Sequence, residues 1–191
     1  MKKIILSVLV LFALVAITGC GTKNENTNNS SSKISEKINS VVLYFSATGT
    51  TKSVAERIAK ESNSDIIEII PKEKYKSEDL NYNGDCRANR EQNDSNARPK
   101  IENTIDITKY DTIYLGYPIW WGTNPKIILT LLDTYDFTDK IIIPFCTSGS
   151  TEISSSVNNL RNYNPKLTIK DGKRFSSSDS DKVIKDFVNN N

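Results

Sequence analysis

Four hydroxyl side chains crowd the six residues Ser46, Ala47, Thr48, Gly49, Thr50 and Thr51. Each hydroxyl can donate a hydrogen bond. Gly49 lets the backbone approach a bound group closely or take positive φ. Hydroxyl donors beside a helix N-terminus, where backbone N–H groups lack partners, suit an anion such as a phosphate monoester. Lys52 adjoins the loop, and solvent is its ordinary place. The dinucleotide pattern G-x-G-x-x-G is not met by a loop with one glycine, and a P-loop requires glycine where Ser46 and Thr51 stand. The same residues would also serve as an ordinary capped strand-to-helix turn. A second hydroxyl loop, Thr147-Ser148-Gly149-Ser150-Thr151, repeats the composition, and Pro118-Ile119-Trp120-Trp121-Gly122 offers large flat rings. The chain contains no histidine. That excludes a Ser-His-Asp triad, histidine-ligated metals and histidine acid–base chemistry.

The elements that must position these loops follow from hydrophobic pattern. Val41 to Phe45 reads as a buried strand running into the first loop. Val54, Ala55, Ile58 and Ala59 then recur on one helical face. Asp65 to Ile70 is a second strand, ended by Pro71. Residues 72–109 are polar and form an insertion, in which Asp85 to Asn93 has only a poor helical face. A connection of this length is usually functional or disordered. Asp111 to Tyr117 is the third strand, leading into the tryptophan loop. Asn124 is expected to cap the next helix with Pro125 at its first position, and Ile127, Ile128, Leu131 and Leu132 form its buried stripe. Lys140 to Cys146, almost wholly apolar, fits a parallel strand covered on both faces. Ile153, Val157 and Leu160 mark a further helix. Leu167 to Ile169 is a weak fifth strand that can continue through the Asp171-Gly172 turn to Phe175. Val183, Ile184, Phe187 and Val188 mark a terminal helix.

Strands alternating with helices predict an open, doubly wound parallel α/β sheet. Ligands bind such sheets outside the carboxyl ends of the strands, and all three unusual loops fall at that edge.

The N-terminus speaks to address. Lys2 and Lys3 precede an apolar run from Ile4 to Ile17, too short to span a bilayer comfortably and suited to a secretion signal. It ends Ile17-Thr18-Gly19-Cys20, which resembles a bacterial lipoprotein signal. The implied layout is a signal peptide at 1–19, a lipidated Cys20 with a polar tether through residue 40, and a folded domain over 41–191 with its insertion at about 72–109. The tether would reach roughly 25 Å root-mean-square. The domain would then stand just off the extracytoplasmic face of the bacterial membrane, anchored if two or more acyl chains are present. Loss of Lys2 and Lys3 leaves 23 basic against 23 acidic residues, which gives no argument for a nucleic-acid partner. Export permits a disulfide between Cys86 and Cys146, while a free, buried Cys146 is the more ordinary reading.

Taken with these loops, the chain resembles a flavodoxin over about residues 40–190. Ser46-Ala47-Thr48-Gly49-Thr50-Thr51 is similar to that family's T/S-x-T-G-x-T phosphate loop. Gly116 to Gly122, with Asn83 to Pro99 before it, is similar to a flavodoxin-like branch of bacterial proteins. The resemblance implies a three-layer α/β/α fold, a five-stranded sheet in the order 2-1-3-4-5, and FMN as cofactor. The phosphate would lie on the first loop. One of Trp120 and Trp121 would face the flavin while the other packs or caps the surface. Thr147, Ser148 and Gly149 would meet the pyrimidine edge through backbone groups. The loop after strand four lacks the aromatic residue many flavodoxins carry there. One flavin face is therefore either open to a substrate or nicotinamide or covered by the insertion, where Arg87, Arg90 and Arg98 could reach the flavin or be solvated. The implied roles are electron transfer to a redox partner protein or small-molecule acceptor, an NAD(P)H-dependent quinone or nitro reductase, or a non-redox binding module on the same scaffold.

Overall fold

The computed structural model describes residues 39–191. The signal, Cys20 and tether expectations through residue 38 lie outside the described residues.

Five parallel positions make up the sheet. β1 (Ser40–Tyr44) is flanked by β2 (Asp65–Glu68) and by β3 (Thr112–Pro118), which pairs with β4 (Ile141–Thr147). The fifth position is shared by two short strands, β5 (Thr168–Ile169) and β6 (Lys173–Phe175), both parallel to β4. The order is therefore β2-β1-β3-β4-β5, with β6 also on β4, as the flavodoxin resemblance implies. The break in the fifth position faces Pro144. This residue has no N–H for a ladder, and Gly172 comes so close that a Cβ there would lie 2.3 Å from its carbonyl oxygen.

Helices cover both faces. Alternation along β1 sends Val42 and Tyr44 to one side, where they join Val54, Ala55 and Ile58 of α1 (Thr50–Ser62) and Ile184 and Phe187 of the C-terminal helix Asp181–Asn189. It sends Val41, Leu43 and Phe45 to the other, to join the helices Lys126–Thr134 and Ser154–Tyr163. This period-2 division between two apolar layers is what a strand buried on both faces requires.

The insertion is ordered. After the Pro71–Ile101 bridge it carries a short 3-10 turn, Ser77–Leu80, and then α2, Arg87–Asn93. With the helices numbered in chain order, α3 is Lys126–Thr134, α4 is Ser154–Tyr163 and α5 is Asp181–Asn189.

One expectation at a helix end is corrected. Pro125, not Asn124, occupies the N-cap of α3, and no side chain of its own caps it. Asn124 is buried and its side-chain oxygen accepts from Asn159 Nδ2 at 2.9 Å. The first helical N–H, that of Lys126, donates instead to Gln92 Oε1 at 3.1 Å. A residue of α2 therefore supplies the acceptor that Asn124 was expected to provide.

Candidate functional site

The loops after β1, β3 and β4, together with the segment after β6, surround a cavity of about 570 Å³ at the carboxyl edge of the sheet. Each loop is built differently.

In the first loop, Ser46 Oγ accepts the Gly49 N–H at 3.1 Å. Gly49 then turns the chain at φ +90° and stands at the N-cap of α1. The first-turn N–H groups of α1 have no intrahelical acceptors. Thr48 and Thr50 present their hydroxyls at the cavity, 3.4 Å from each other. Thr51 also lines the cavity, but its hydroxyl is 2.8 Å from that of Thr147, and both residues are buried. The four hydroxyls therefore divide. Thr48 and Thr50 are exposed, Ser46 shapes the turn, and Thr51 ties the first loop to the third.

The second loop continues β3. The Ile119 N–H donates to the Thr147 carbonyl at 3.0 Å, which locks the second loop against the third. Trp120 and Thr123 then exchange backbone hydrogen bonds of 2.9 and 3.0 Å around Trp121 and Gly122. Trp120 is buried, lines the cavity with Ala47, Pro118 and Ile119, and packs edge-on against Phe45 (5.5 Å) and Tyr75 (5.0 Å). Trp121 points elsewhere, 39 % exposed and 4.7 Å from Tyr82. The two tryptophans divide as their adjacency implies: Trp120 is the ring on the cavity wall. Ser46, Gly49, Trp121 and Gly122 shape the loops without lining the cavity.

In the third loop, Thr147, Ser148 and Gly149 reach the cavity. Ser148 is less available than its backbone suggests. Its N–H donates to the Phe175 carbonyl at 3.3 Å, its own carbonyl accepts from Arg174 Nη1 at 3.3 Å, and its hydroxyl accepts the N–H groups of Ser150 and Thr151. The Thr147 carbonyl is likewise taken by Ile119. The expectation that these backbone groups all face a ligand is narrowed by these bonds.

Residues outside those three loops complete the walls. Leu80 and Tyr82 come from the insertion, and Phe175, Ser176 and Ser177 from the end of the fifth position. The segment after β6 was predictable from topology, since it leaves the same sheet edge. Tyr82 carried only the weak signal of an aromatic residue in a polar stretch. Gln92 also went unmarked. Its Nε2 donates to the carbonyls of Trp120 and Asn124, each at 3.2 Å, while its Oε1 accepts from Lys126.

The arginines of the insertion do not reach the cavity. Arg87 pairs with Glu91 at 2.7 Å and lies over the Tyr75 ring, Arg90 pairs with Asp85 at 3.1 Å, and Arg98 pairs with Asp133 at 2.7 Å. Burial, reinforced by the bond it donates to Glu91, pushes the Tyr75 phenol well above its ordinary range. Cys86 and Cys146 are both free and buried, so the disulfide does not form. The Cys86 sulfur instead accepts the Asn89 N–H at the start of α2.

The sequence profile of the Flavodoxin family matches residues 39–191. The chain belongs to the flavodoxin family. Solved structures agree with that placement. A protein of Bacteroides eggerthii, described as a flavoprotein, is 35% identical with a TM-score of 0.76, the match covering 79% of this chain and 96% of that one. A counterpart from Bacteroides uniformis is 36% identical with a TM-score of 0.76, covering 79% and 97%. A flavoprotein of Lactobacillus acidophilus, solved in complex with FMN, is 27% identical with a TM-score of 0.55, covering 71% and 92%. None of the curated proteins compared with the chain matches it. In flavodoxin terms the 72–109 insertion is part of the matched domain, and it contributes a cavity wall.

Proposed function

We propose that this flavodoxin-family chain holds FMN in the cavity and exchanges electrons with a redox partner, a protein or a small molecule. The domain works from the extracytoplasmic face of a bacterial membrane, tethered through lipid on Cys20. The observation that carries the reading is the cavity itself: loops of the expected chemistry meet there, and among the described residues its lining contains no lysine, arginine, aspartate or glutamate.

The residues fit the group. Thr48, Thr50 and the open N–H groups at the start of α1 suit a phosphate without a cation. Gly49 leaves the loop open, since a Cβ there would meet nothing within 4 Å. The Trp120 and Tyr82 rings on the walls suit a planar ring system, and Gly149 with Ser176 and Ser177 offers polar groups. FMN, when bound, supplies one- and two-electron chemistry. The protein binds it, orients it and keeps water from its faces. Among the described residues of the walls none carries a charge, so none is equipped to move a proton at neutral pH.

The same lining favours an electron carrier over an NAD(P)H reductase. Leu80 and Tyr82 take up one wall, and no lysine or arginine lines the cavity among the described residues. An extracytoplasmic address also speaks against nicotinamide as donor.

An absorption spectrum of residues 21–191, before and after addition of FMN, tests the reading. A shifted flavin spectrum with quenched fluorescence is expected. A folded protein that ignores FMN would overturn it. Steady-state assay with NAD(P)H and a quinone is expected to give no turnover. In cells, Cys20→Ala should release the protein from the membrane fraction.

A further inference from the structure

Trp121 stands where tryptophan is a strained choice. Its exchange-bonded neighbours Trp120 and Thr123 make Trp121 and Gly122 the corners of a tight turn, with φ of +50° and +77°. Positive φ at both corners is the type I′ pattern, which Asn, Asp and Gly fill with least strain. A bulky residue with positive φ is an outlier, and an outlier held in place points to a use.

Core packing does not supply that use. Trp121 belongs to neither apolar layer of the described residues. Its ring contacts are Tyr82, at 4.7 Å with the planes tilted 45°, and Trp120 at 6.3 Å. Tyr82 lies on the cavity wall, yet it is 57 % exposed and sits in the wholly exposed stretch 81–85. Among the described residues, Tyr82 has no ring partner besides Trp121. The chain around it is held only locally: the Asn89 amide donates to the Tyr82 carbonyl at 3.4 Å, and the Asn83 N–H donates to Asn81. A ring in so exposed a stretch needs a support to stay against a cavity, and Trp121 is the support present. Gln92 grips the carbonyl at the base of the same turn, so the support is itself fixed.

We propose that Trp121 is a positioning residue that holds Tyr82 against the cavity, the pair forming a gate that sets how fast FMN leaves. This rests on the FMN reading above. Trp121 stands outside the cavity lining and acts through Tyr82. Asn, Asp and Gly, which fill such a turn with least strain, have no ring to offer.

The test is the release rate of FMN from the full domain, followed by stopped-flow fluorescence, together with the melting temperature of the flavin-free protein. Trp121→Asn accepts the positive φ and removes the ring. It is expected to melt at or above the wild-type temperature while releasing FMN roughly tenfold faster. Tyr82→Ala should match it, and the double variant should release no faster than Tyr82→Ala alone. Trp121→Phe should restore most of the slow release. Wild-type release rates in Trp121→Asn, or single effects that multiply in the double variant, would overturn the gate and leave FMN binding standing. A lower melting temperature in flavin-free Trp121→Asn would assign the ring a structural role and overturn it too. Wild-type protein that does not bind FMN would overturn both readings.

Discussion

The hydroxyl oxygens of Thr51 and Thr147 lie 2.8 Å apart, buried, joining the start of α1 to the end of β4. Two loops that must present atoms to one ligand are thereby fixed to each other before any ligand arrives. Thr51→Val keeps the shape and removes one hydroxyl, leaving its partner buried and unpaired. Urea unfolding should show a loss of about 1–3 kcal/mol. The same change at Thr147 should cost a similar amount, while the double valine variant should cost less than the two together, since no orphaned hydroxyl remains.

Gly49 and Thr48 separate loop geometry from ligand contact. Gly49→Ala meets no atom within 4 Å, so its cost is conformational, from φ +90°. It should destabilise the flavin-free protein by about 1–2 kcal/mol. Of the two roles the sequence leaves open for Gly49, close approach to a ligand or positive φ, the structure displays the positive φ. Thr48 is exposed, so Thr48→Ala should leave flavin-free stability within about 0.5 kcal/mol. It should weaken FMN binding, read by fluorescence titration, by about 1–3 kcal/mol. Equal FMN affinity in Thr48→Ala and wild type would move the phosphate elsewhere.

How much was readable in the sequence depends on the distance over which each feature is decided. Val41–Phe45 and Ile142–Cys146 are continuous apolar runs, so their burial is a local property. The Asp171-Gly172 turn likewise marks its own break in the fifth position. Trp120 and Trp121 had to diverge because adjacent residues of a turn do. Asn124 misled, because its type is right for a cap while its side chain is claimed by Asn159, 35 residues away. The acceptor for Lys126 comes from Gln92, 34 residues upstream. No local pattern announces such a partner. Tyr82 was hidden for the same reason: its polar surroundings gave no hint that tertiary contacts bring it to the cavity.

Gln92 should behave as a clamp on the tryptophan loop. Gln92→Leu removes three hydrogen bonds and leaves the carbonyls of Trp120 and Asn124 without this donor. A loss of about 1–3 kcal/mol is expected. Intrinsic tryptophan fluorescence of the folded, flavin-free variant should change as Trp120 gains freedom. An unchanged spectrum with unchanged stability would remove Gln92 from this role.

Gly172 has no tolerated replacement. Its φ is +72°, and a Cβ would fall 2.3 Å from the Pro144 carbonyl oxygen, a backbone atom with little room to yield. Gly172→Ala should cost about 3 kcal/mol or more, combining steric overlap with positive φ. Loss should concentrate where β6 pairs with β4, so hydrogen exchange at Ser148, whose N–H donates to Phe175, should accelerate first.

Cys146 gives a prediction in pH. Burial pushes its thiol from 9.0 up to about 12, against the opposing pull of Arg174. The folded thiol therefore stays protonated where the unfolded one ionises. Above pH 9 the unfolded state binds fewer protons than the folded state, so stability must fall as pH rises, by up to about 1.4 kcal/mol per pH unit from this group. The buried Tyr117 phenol, raised by burial as well, adds a loss of the same sign from about pH 10. Below pH 9 neither group contributes a slope. Urea midpoints of wild type and Cys146→Ala across pH 8–11 should diverge in slope only above pH 9. At pH 8 a thiol reagent should leave Cys146 unmodified in the native protein and label it once urea unfolds the chain. Rapid native labelling would mean that the carboxyl end of β4 opens to solvent, and with it the wall that Thr147 and Ser148 provide.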